Sequence, residues 1–265
     1  MRLSREQLTA CALGVDRLGF EDGTDRTRTY RIPAALATLY DRDPAARDRM
    51  DCPAGVRFRF RSDTAFLRVS VSYEGRGARN SWKGALIVDG RVRPFGPAAK
   101  TDAWRGTVFE TGVSSGRAER TFDLWMPHMT VCRLDAIEVD ESAGFEPAPP
   151  AIKWLAYGDS ITQGMETPLP TDSVFGRVCR DLDAEVRNLA VGGAVLDERL
   201  ADWTPDFDYA VATVAYGTND FNRSVPPDRH AANARKLLAK LAAARPQRRS
   251  EARRVGIAGR SRVSA

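Results

Sequence analysis

Three short apolar runs in the second half of the chain restrict its fold more than any other feature. Ile152 to Tyr157, interrupted only by Lys153, reads as a buried strand; Gly158 breaks it and Ser160 sits on the following turn. Glu185 to Leu189 is the second run and closes in Asn188-Leu189-Ala190-Val191-Gly192-Gly193. Tyr209 to Ala215 is the third and closes in Tyr216-Gly217-Thr218-Asn219-Asp220. The spans between the runs, about 27 and 18 residues, are long enough for the crossovers that parallel strands require. Helices are expected near Asp172–Leu182, capped by Thr171 or Asp172, at Leu196–Trp203, and from Pro227 to Ala244. Right-handed crossovers in the order typical of such sheets place the first strand between the second and third.

Parallel strands end at one sheet edge, and Ser160, Gly193 and Asn219 each lie just beyond such an end. With neighbouring strands about 4.8 Å apart, three adjacent loops can reach one small group. That placement suits acyl transfer. A serine hydroxyl can attack an ester carbonyl and carry the acyl group, while donors aimed at the developing oxyanion are worth roughly 3–4 kcal/mol each. Glycine at 193 lets backbone approach the substrate closely, and Asn219 offers a neutral donor that a carboxylate could not. Asp159 and Asp220 read as residues that organise the loops. Taken singly, Gly192-Gly193 could be only a turn and Asn219-Asp220 only a helix cap. Their order, each at a strand end, is what carries weight.

Gly158-Asp159-Ser160, Asn188 to Gly193, and Gly217-Thr218-Asn219-Asp220 resemble the first three sequence blocks of the SGNH (GDSL) hydrolases, over roughly Ile152 to Pro246. The resemblance implies a flavodoxin-like, three-layer α/β domain with a parallel sheet and an esterase or acylhydrolase activity. It makes Ser160 the nucleophile, and the backbone N–H groups of Ser160 and Gly193 with the Asn219 amide the oxyanion donors. No cofactor or metal is implied. The family's fourth block, Asp-x-x-His, has no counterpart here. His230, in Pro226-Pro227-Asp228-Arg229-His230, follows an aspartate by two residues instead of three and opens a helix, so a solvated first-turn position is expected. After the third strand–helix unit comes an Arg/Ala/Gly/Ser-rich tail whose composition suggests a truncation or a shifted reading frame in a GC-rich gene. The expected consequence is a third strand left at an edge, patched at most by Val255–Ala258, and a marginally stable chain.

The first half reads differently. Val56–Phe60 and Leu67–Tyr73 alternate strictly, Ala85–Val88 runs into the hairpin signal Asp89-Gly90, and Thr121–Met126 and Val131–Val139 give further strands. This is the pattern of an all-β sandwich, jelly-roll-like. It resembles the sandwich that precedes the catalytic domain in some SGNH carbohydrate esterases, as do Tyr30-Arg31-Ile32-Pro33 and Leu124-Trp125-Met126-Pro127. The expected organisation is therefore two domains: a sandwich at 1–146, a Pro-rich linker at 147–151, a partial hydrolase domain at 152–246, and a basic tail at 247–265. His128 reads as a surface turn residue, and Trp82 and Trp104 as sandwich aromatics or sugar-stacking faces.

Composition narrows the function classes. The formal charge of +5 resides in residues 247–265, which hold six arginines and one glutamate; the remainder balances at 34 basic and 34 acidic residues. No basic surface for nucleic acid is therefore expected on the fold, although the tail alone could contribute salt-sensitive binding. No apolar run suits a membrane span, and the N-terminus lacks a secretory pattern, so a cytoplasmic location is expected. Cys11, Cys52, Cys132 and Cys179 lack metal-ligand spacing and read as reduced, buried thiols. The sequence thus points to a serine ester hydrolase acting on a small-molecule or carbohydrate ester, with removal of acetyl groups from a carbohydrate as the activity the sandwich resemblance implies. The alternative is a catalytically impaired binding module without the histidine base.

Overall fold

The computed structural model describes residues 1–24, 26–111 and 117–244. Residues 247–265, with the proposed patch at Val255–Ala258, lie outside them. The chain opens with α1 (Arg5–Cys11), started by a reciprocal Ser4/Gln7 capping box. Then follow β1 (Ala12–Leu13), β2 (Arg17–Phe20), β3 (Thr27–Tyr30), α2 (Ala34–Ala37) and α3 (Pro44–Asp51). Asp43 caps α3 by accepting from the N–H groups of Ala45 and Ala46, with Pro44 at the position where a missing N–H costs nothing. Next come β4 (Arg57–Ser62), β5 (Phe66–Gly77), β6 (Gly84–Val88), β7 (Arg91–Phe95), β8 (Ala103–Glu110), β9 (Arg120–Trp125), β10 (Thr130–Glu138) and the two-residue β11 (Glu146–Pro147).

These strands form two antiparallel sheets, in the orders β1-β4-β9-β6-β7, with β11 added on β4, and β2-β3-β10-β5-β8. Alternation explains how they meet. Leu67, Val69 and Val71 of β5 and Leu134 and Ile137 of β10 face Phe58 and Phe60 of β4 and Phe122 and Leu124 of β9 in one apolar cluster. Asp89 and Gly90 both take positive φ, 52° and 71°, which matches the right-handed twist of the β6–β7 hairpin they join. The Pro-rich stretch is extended, but its start is pinned to a sheet: Glu146 pairs with Arg61 and Pro147 with Phe60.

After Ala151 the architecture changes to strand–helix alternation. It comprises β12 (Ile152–Gly158), α4 (Ser160–Gln163), α5 (Val174–Asp181), β13 (Ala184–Asn188), β14 (Val211–Ala215), α6 (Thr218–Asn222) and α7 (Pro227–Ala244). The three strands are parallel in the order β13-β12-β14, so the first lies in the middle, as the crossover argument requires. β12 is buried on both faces. Leu155 and Tyr157 join a cluster with Leu237 and Leu241 of α7, and Trp154 and Ala156 join Phe175 and Cys179 of α5.

Three local expectations are corrected. The helix expected from Asp172 begins at Val174, because Pro170–Asp172 forms a 3₁₀ turn and the Ser173 hydroxyl, not Thr171 or Asp172, accepts from the Gly176 N–H at 3.0 Å. The helix expected at Leu196–Trp203 is a short 3₁₀ segment at Glu198–Asp202, capped by Asp197. Strand β14 starts at Val211, and Tyr209 instead bonds the Leu241 carbonyl of α7 at 3.0 Å.

The two halves are not held apart. Ile32, Leu36, Tyr40 and Ala46 pack in the same cluster as Leu155 and Leu237. The outer edge of β13, which would otherwise present unpaired backbone, is covered by the first half. Arg57 bonds the Ala184 carbonyl, the Gly14 N–H donates to Glu185 at 3.1 Å, Asp16 pairs with Arg187, and Arg31 bonds the Asn188 carbonyl at 2.7 Å. Among the described residues β14 pairs with β12 alone, and its residues are exposed or half-buried. No helix among them is long and apolar enough to cross a membrane.

Candidate active site

Strands β12, β13 and β14 end at Gly158, Asn188 and Ala215, and the candidate residues follow at that common edge. Gly158 is needed where the chain leaves β12. A Cβ there would overlap the side chain of Thr162 and stand 3.0 Å from the Ala215 carbonyl of the neighbouring strand. Asp159 is 3% exposed and caps α4, its Oδ1 accepting from the Ile161 N–H at 3.1 Å. Ser160 is therefore the first residue of a one-turn helix, where N–H groups lack an intrahelical partner.

The second loop is fixed to the first by two buried side chains. Gln163, three residues after Ser160 and fully buried, accepts from the Gly192 N–H at 2.7 Å and donates to the Arg49 carbonyl at 2.6 Å. Asn188, also fully buried, donates to the Thr162 carbonyl at 2.9 Å and accepts from the Ala190 N–H. Gly193 has φ +80°, a conformation that side chains rarely adopt. Neither its N–H nor that of Ser160 has an acceptor among the described residues.

The third loop closes on the first. Asn219 in α6 donates its amide to Asp159 Oδ2 at 3.3 Å and to the Ala194 carbonyl at 3.0 Å. Ser160, Gly193 and Asn219 are all half-buried, at the rim of the sheet. Asp159 thus links Ser160 and Asn219 directly, and Asn219 reaches the residue after Gly193. The three loops form one hydrogen-bonded unit. Asp220, 3% exposed, turns the other way and accepts from the Leu196 N–H at 3.1 Å and from His230 Nδ1 at 2.9 Å.

Both histidines depart from expectation. His230 is held by the Asp220 carboxylate and only partly exposed, instead of being simply solvated. His128 is fully buried, not a surface turn residue. It packs against Phe175 and uses Nε2 to donate to the carbonyl of Gly164, the residue that ends α4, at 3.1 Å. Burial pushes its pKa down to about 4. Neither imidazole is hydrogen-bonded to Ser160. Trp82 is also buried, edge-on to Tyr73, so its face is not open to a sugar ring.

The sequence did not single out Arg49 or Gln163. Arg49 donates from Nη1 to the Gly192 carbonyl at 2.9 Å, bringing a residue of the first half to the loop beside Ser160. Only the tertiary fold joins positions so far apart in the chain. Gln163 had a local signal, since it lies one turn after Ser160.

Residues 156–257 match the GDSL-like lipase/acylhydrolase family. No curated protein matches the chain in sequence. Among solved structures, the salicylyl-acyltransferase SsfX3 from a tetracycline biosynthetic pathway aligns with TM-score 0.72 at 21% identity, over 89% of this chain and 69% of that one. A family two carbohydrate esterase from Cellvibrio japonicus aligns with TM-score 0.61 at 17% identity, over 93% and 76%. One from Clostridium thermocellum, in complex with cellohexaose, aligns with TM-score 0.54 at 18% identity, over 73% and 69%. These likenesses establish a shared fold.

Proposed function

From a chain whose residues 156–257 match the GDSL-like lipase/acylhydrolase family, we propose a serine ester hydrolase in which Ser160 forms the acyl-enzyme. The Ser160 Oγ attacks the ester carbonyl, and the oxyanion is held by the N–H groups of Ser160 and Gly193 and by the Asn219 amide, which exchanges its longer bond to Asp159 for one to the oxyanion. Collapse expels the alcohol, which leaves with the proton given up by Ser160, and water then releases the acid and returns a proton to Ser160. The observation that carries this reading is the bonded unit of three loops, with two backbone N–H groups left without acceptors on adjacent loops. Asp159 and Asp220 serve it by orientation: the first holds Ser160 and Asn219, the second holds the 193–196 loop.

We take a carbohydrate ester, with acetyl as the acyl group, as its substrate class. The support is likeness to the two carbohydrate esterases, which span both halves of this chain. In this reading residues 1–146 form the sandwich domain, 152–246 the hydrolase domain, and the location is cytoplasmic.

One observation favours a second reading. Neither histidine is bonded to Ser160, so the hydroxyl has no imidazole to take its proton among the described residues. Loss of a base costs about 10⁴–10⁶ in turnover and leaves only oxyanion-hole catalysis. The same three loops would then bind esters without cleaving them efficiently. Turnover of 4-nitrophenyl acetate, with fluorophosphonate labelling read by intact mass, decides between the two. A serine adduct and a rate that vanish together in Ser160→Ala support the hydrolase; equal rates in both proteins remove it.

A further inference from the structure

Arg49 and Arg223 converge on Gly193 from different directions. A Cβ placed on Gly193 would stand 2.8 Å from Arg49 Nη1 and 3.6 Å from Arg223 Nη2, so both guanidinium groups lie within 4 Å of one point. Arg49 comes from α3 in the first half, and Arg223 is the residue that ends α6, four after Asn219. Arg49 commits one N–H to the Gly192 carbonyl and has others free for a ligand.

Several exposed and half-buried arginines elsewhere are neutralised by carboxylates, Arg26 by Asp135, Arg28 by Asp51, Arg76 by Asp48 and Arg105 by Glu138. Among the described residues neither Arg49 nor Arg223 has a carboxylate within salt-bridge distance. Two like charges brought together raise the local potential unless an anion sits between them.

We propose that Arg49 and Arg223 form an anion subsite beside Gly193, which takes a carboxylate or phosphate substituent carried by the ester. The inference rests on the ester-hydrolase reading for its location and extends it to substrate charge. A planar guanidinium can grip either oxyanion with two parallel hydrogen bonds, and two guanidiniums fix its position relative to the carbonyl. Charge-assisted hydrogen bonds of this kind are worth about 10- to 100-fold in binding each.

The test uses ligands with amide bonds, so that binding is read without turnover. N-phenylsuccinamate carries a carboxylate, N-acetyl-O-phosphoethanolamine a phosphate, and N-phenylbutanamide neither. Titration calorimetry on the full chain, in phosphate-free buffer, is expected to show at least one anionic probe bound tenfold or more tighter than the neutral amide. Arg49→Gln and Arg223→Gln should each cut that preference about tenfold, and Arg49→Lys and Arg223→Lys should restore part of it. Whichever anionic probe wins identifies the substituent. Circular dichroism melts check that each variant is folded; because Arg49 also holds the Gly192 loop, Arg223→Gln keeps the test decisive where Arg49→Gln unfolds.

Equal binding of charged and neutral probes, or a preference that survives in both glutamine variants, overturns the subsite. Turnover of 4-nitrophenyl acetate in the same preparation separates the two layers. Anion preference without turnover upholds the subsite and sinks the hydrolase reading. Turnover without anion preference does the reverse.

Discussion

Asp220 and His230 show what one carboxylate can decide. Asp220 is buried and satisfies both the Leu196 N–H and the His230 imidazole. Replacing it with alanine strands a buried N–H and frees the loop that carries Gly193, so Asp220→Ala is expected to cost about 1–3 kcal/mol by chemical denaturation. His230→Asn keeps a donor in reach of the carboxylate and should cost under about 1 kcal/mol. A loss as large as that of Asp220→Ala would show that the pair acts as more than a loop brace. At Asn219 the expected readout is kinetic. Removal of one oxyanion donor lowers kcat about 10²–10³-fold, beside a stability loss of about 1–2 kcal/mol from its bonds to Asp159 and Ala194, and an unchanged kcat in Asn219→Ala would exclude its amide from the oxyanion hole. His128 predicts a pH effect of definite sign. Its Nε2–H is used on Gly164 and its Nδ1 is buried without a partner, so the neutral ring is held and its pKa falls to about 4 from 6.5. Below about pH 6.5 the unfolded chain takes a proton that the folded chain refuses. Stability is therefore fully present above that pH and declines as pH falls toward 4, by about 3 kcal/mol in total. His128→Phe should flatten that part of the stability curve; a curve that keeps its slope assigns the effect to other groups.

The elements that sequence periodicity reveals are those whose burial repeats along the chain. β4 and β5 alternate because one face meets the core, and α7 runs from Pro227 to Ala244 as its proline start and apolar spacing imply. The central place of β12 follows from crossover handedness taken with a flavodoxin-like strand order. Elements of one turn carry no period to read, which is why α4 and α6 were missed although both bear candidate residues. Ser160, Gly193 and Asn219 were legible because each ends an apolar run. Their supports were not, since Gln163 joins α4 to Gly192 and Arg49 across distant parts of the sequence. That clamp is open to test. Gln163→Ala removes two buried hydrogen bonds and leaves the Gly192 N–H unpaired, at a cost of about 2–4 kcal/mol. Gln163→Glu keeps the acceptor for Gly192 but loses the donor to Arg49, and should fall between wild type and alanine. If all three proteins melt together, the clamp holds nothing.

At the scale of the whole molecule the first half completes the second. Among the described residues the parallel sheet has three strands, and the exposed edge of β13 is closed by residues from the first half. Arg31 is central to this closure. It is 1% exposed, and its guanidinium donates to the carbonyls of Cys52, Asn188 and Arg49 at 2.7–3.0 Å, with no carboxylate bonded to it. Burial lowers its pKa only to about 10, so it remains charged at neutral pH. Three carbonyl dipoles offset part of that desolvation. Removing the side chain leaves all three carbonyls without this donor and opens a gap between α3 and β13. Arg31→Ala should therefore destabilise the entire chain by about 3 kcal/mol. It should also keep unfolding a single transition, because the cluster containing Ile32, Leu36, Leu155 and Leu237 spans both halves. Differential scanning calorimetry separates this from a two-domain chain with a loose junction. One endotherm that moves down in the variant fits the shared core. Two endotherms, with only the second shifted, would mean that the halves fold independently and that Arg31 serves the strand–helix half alone.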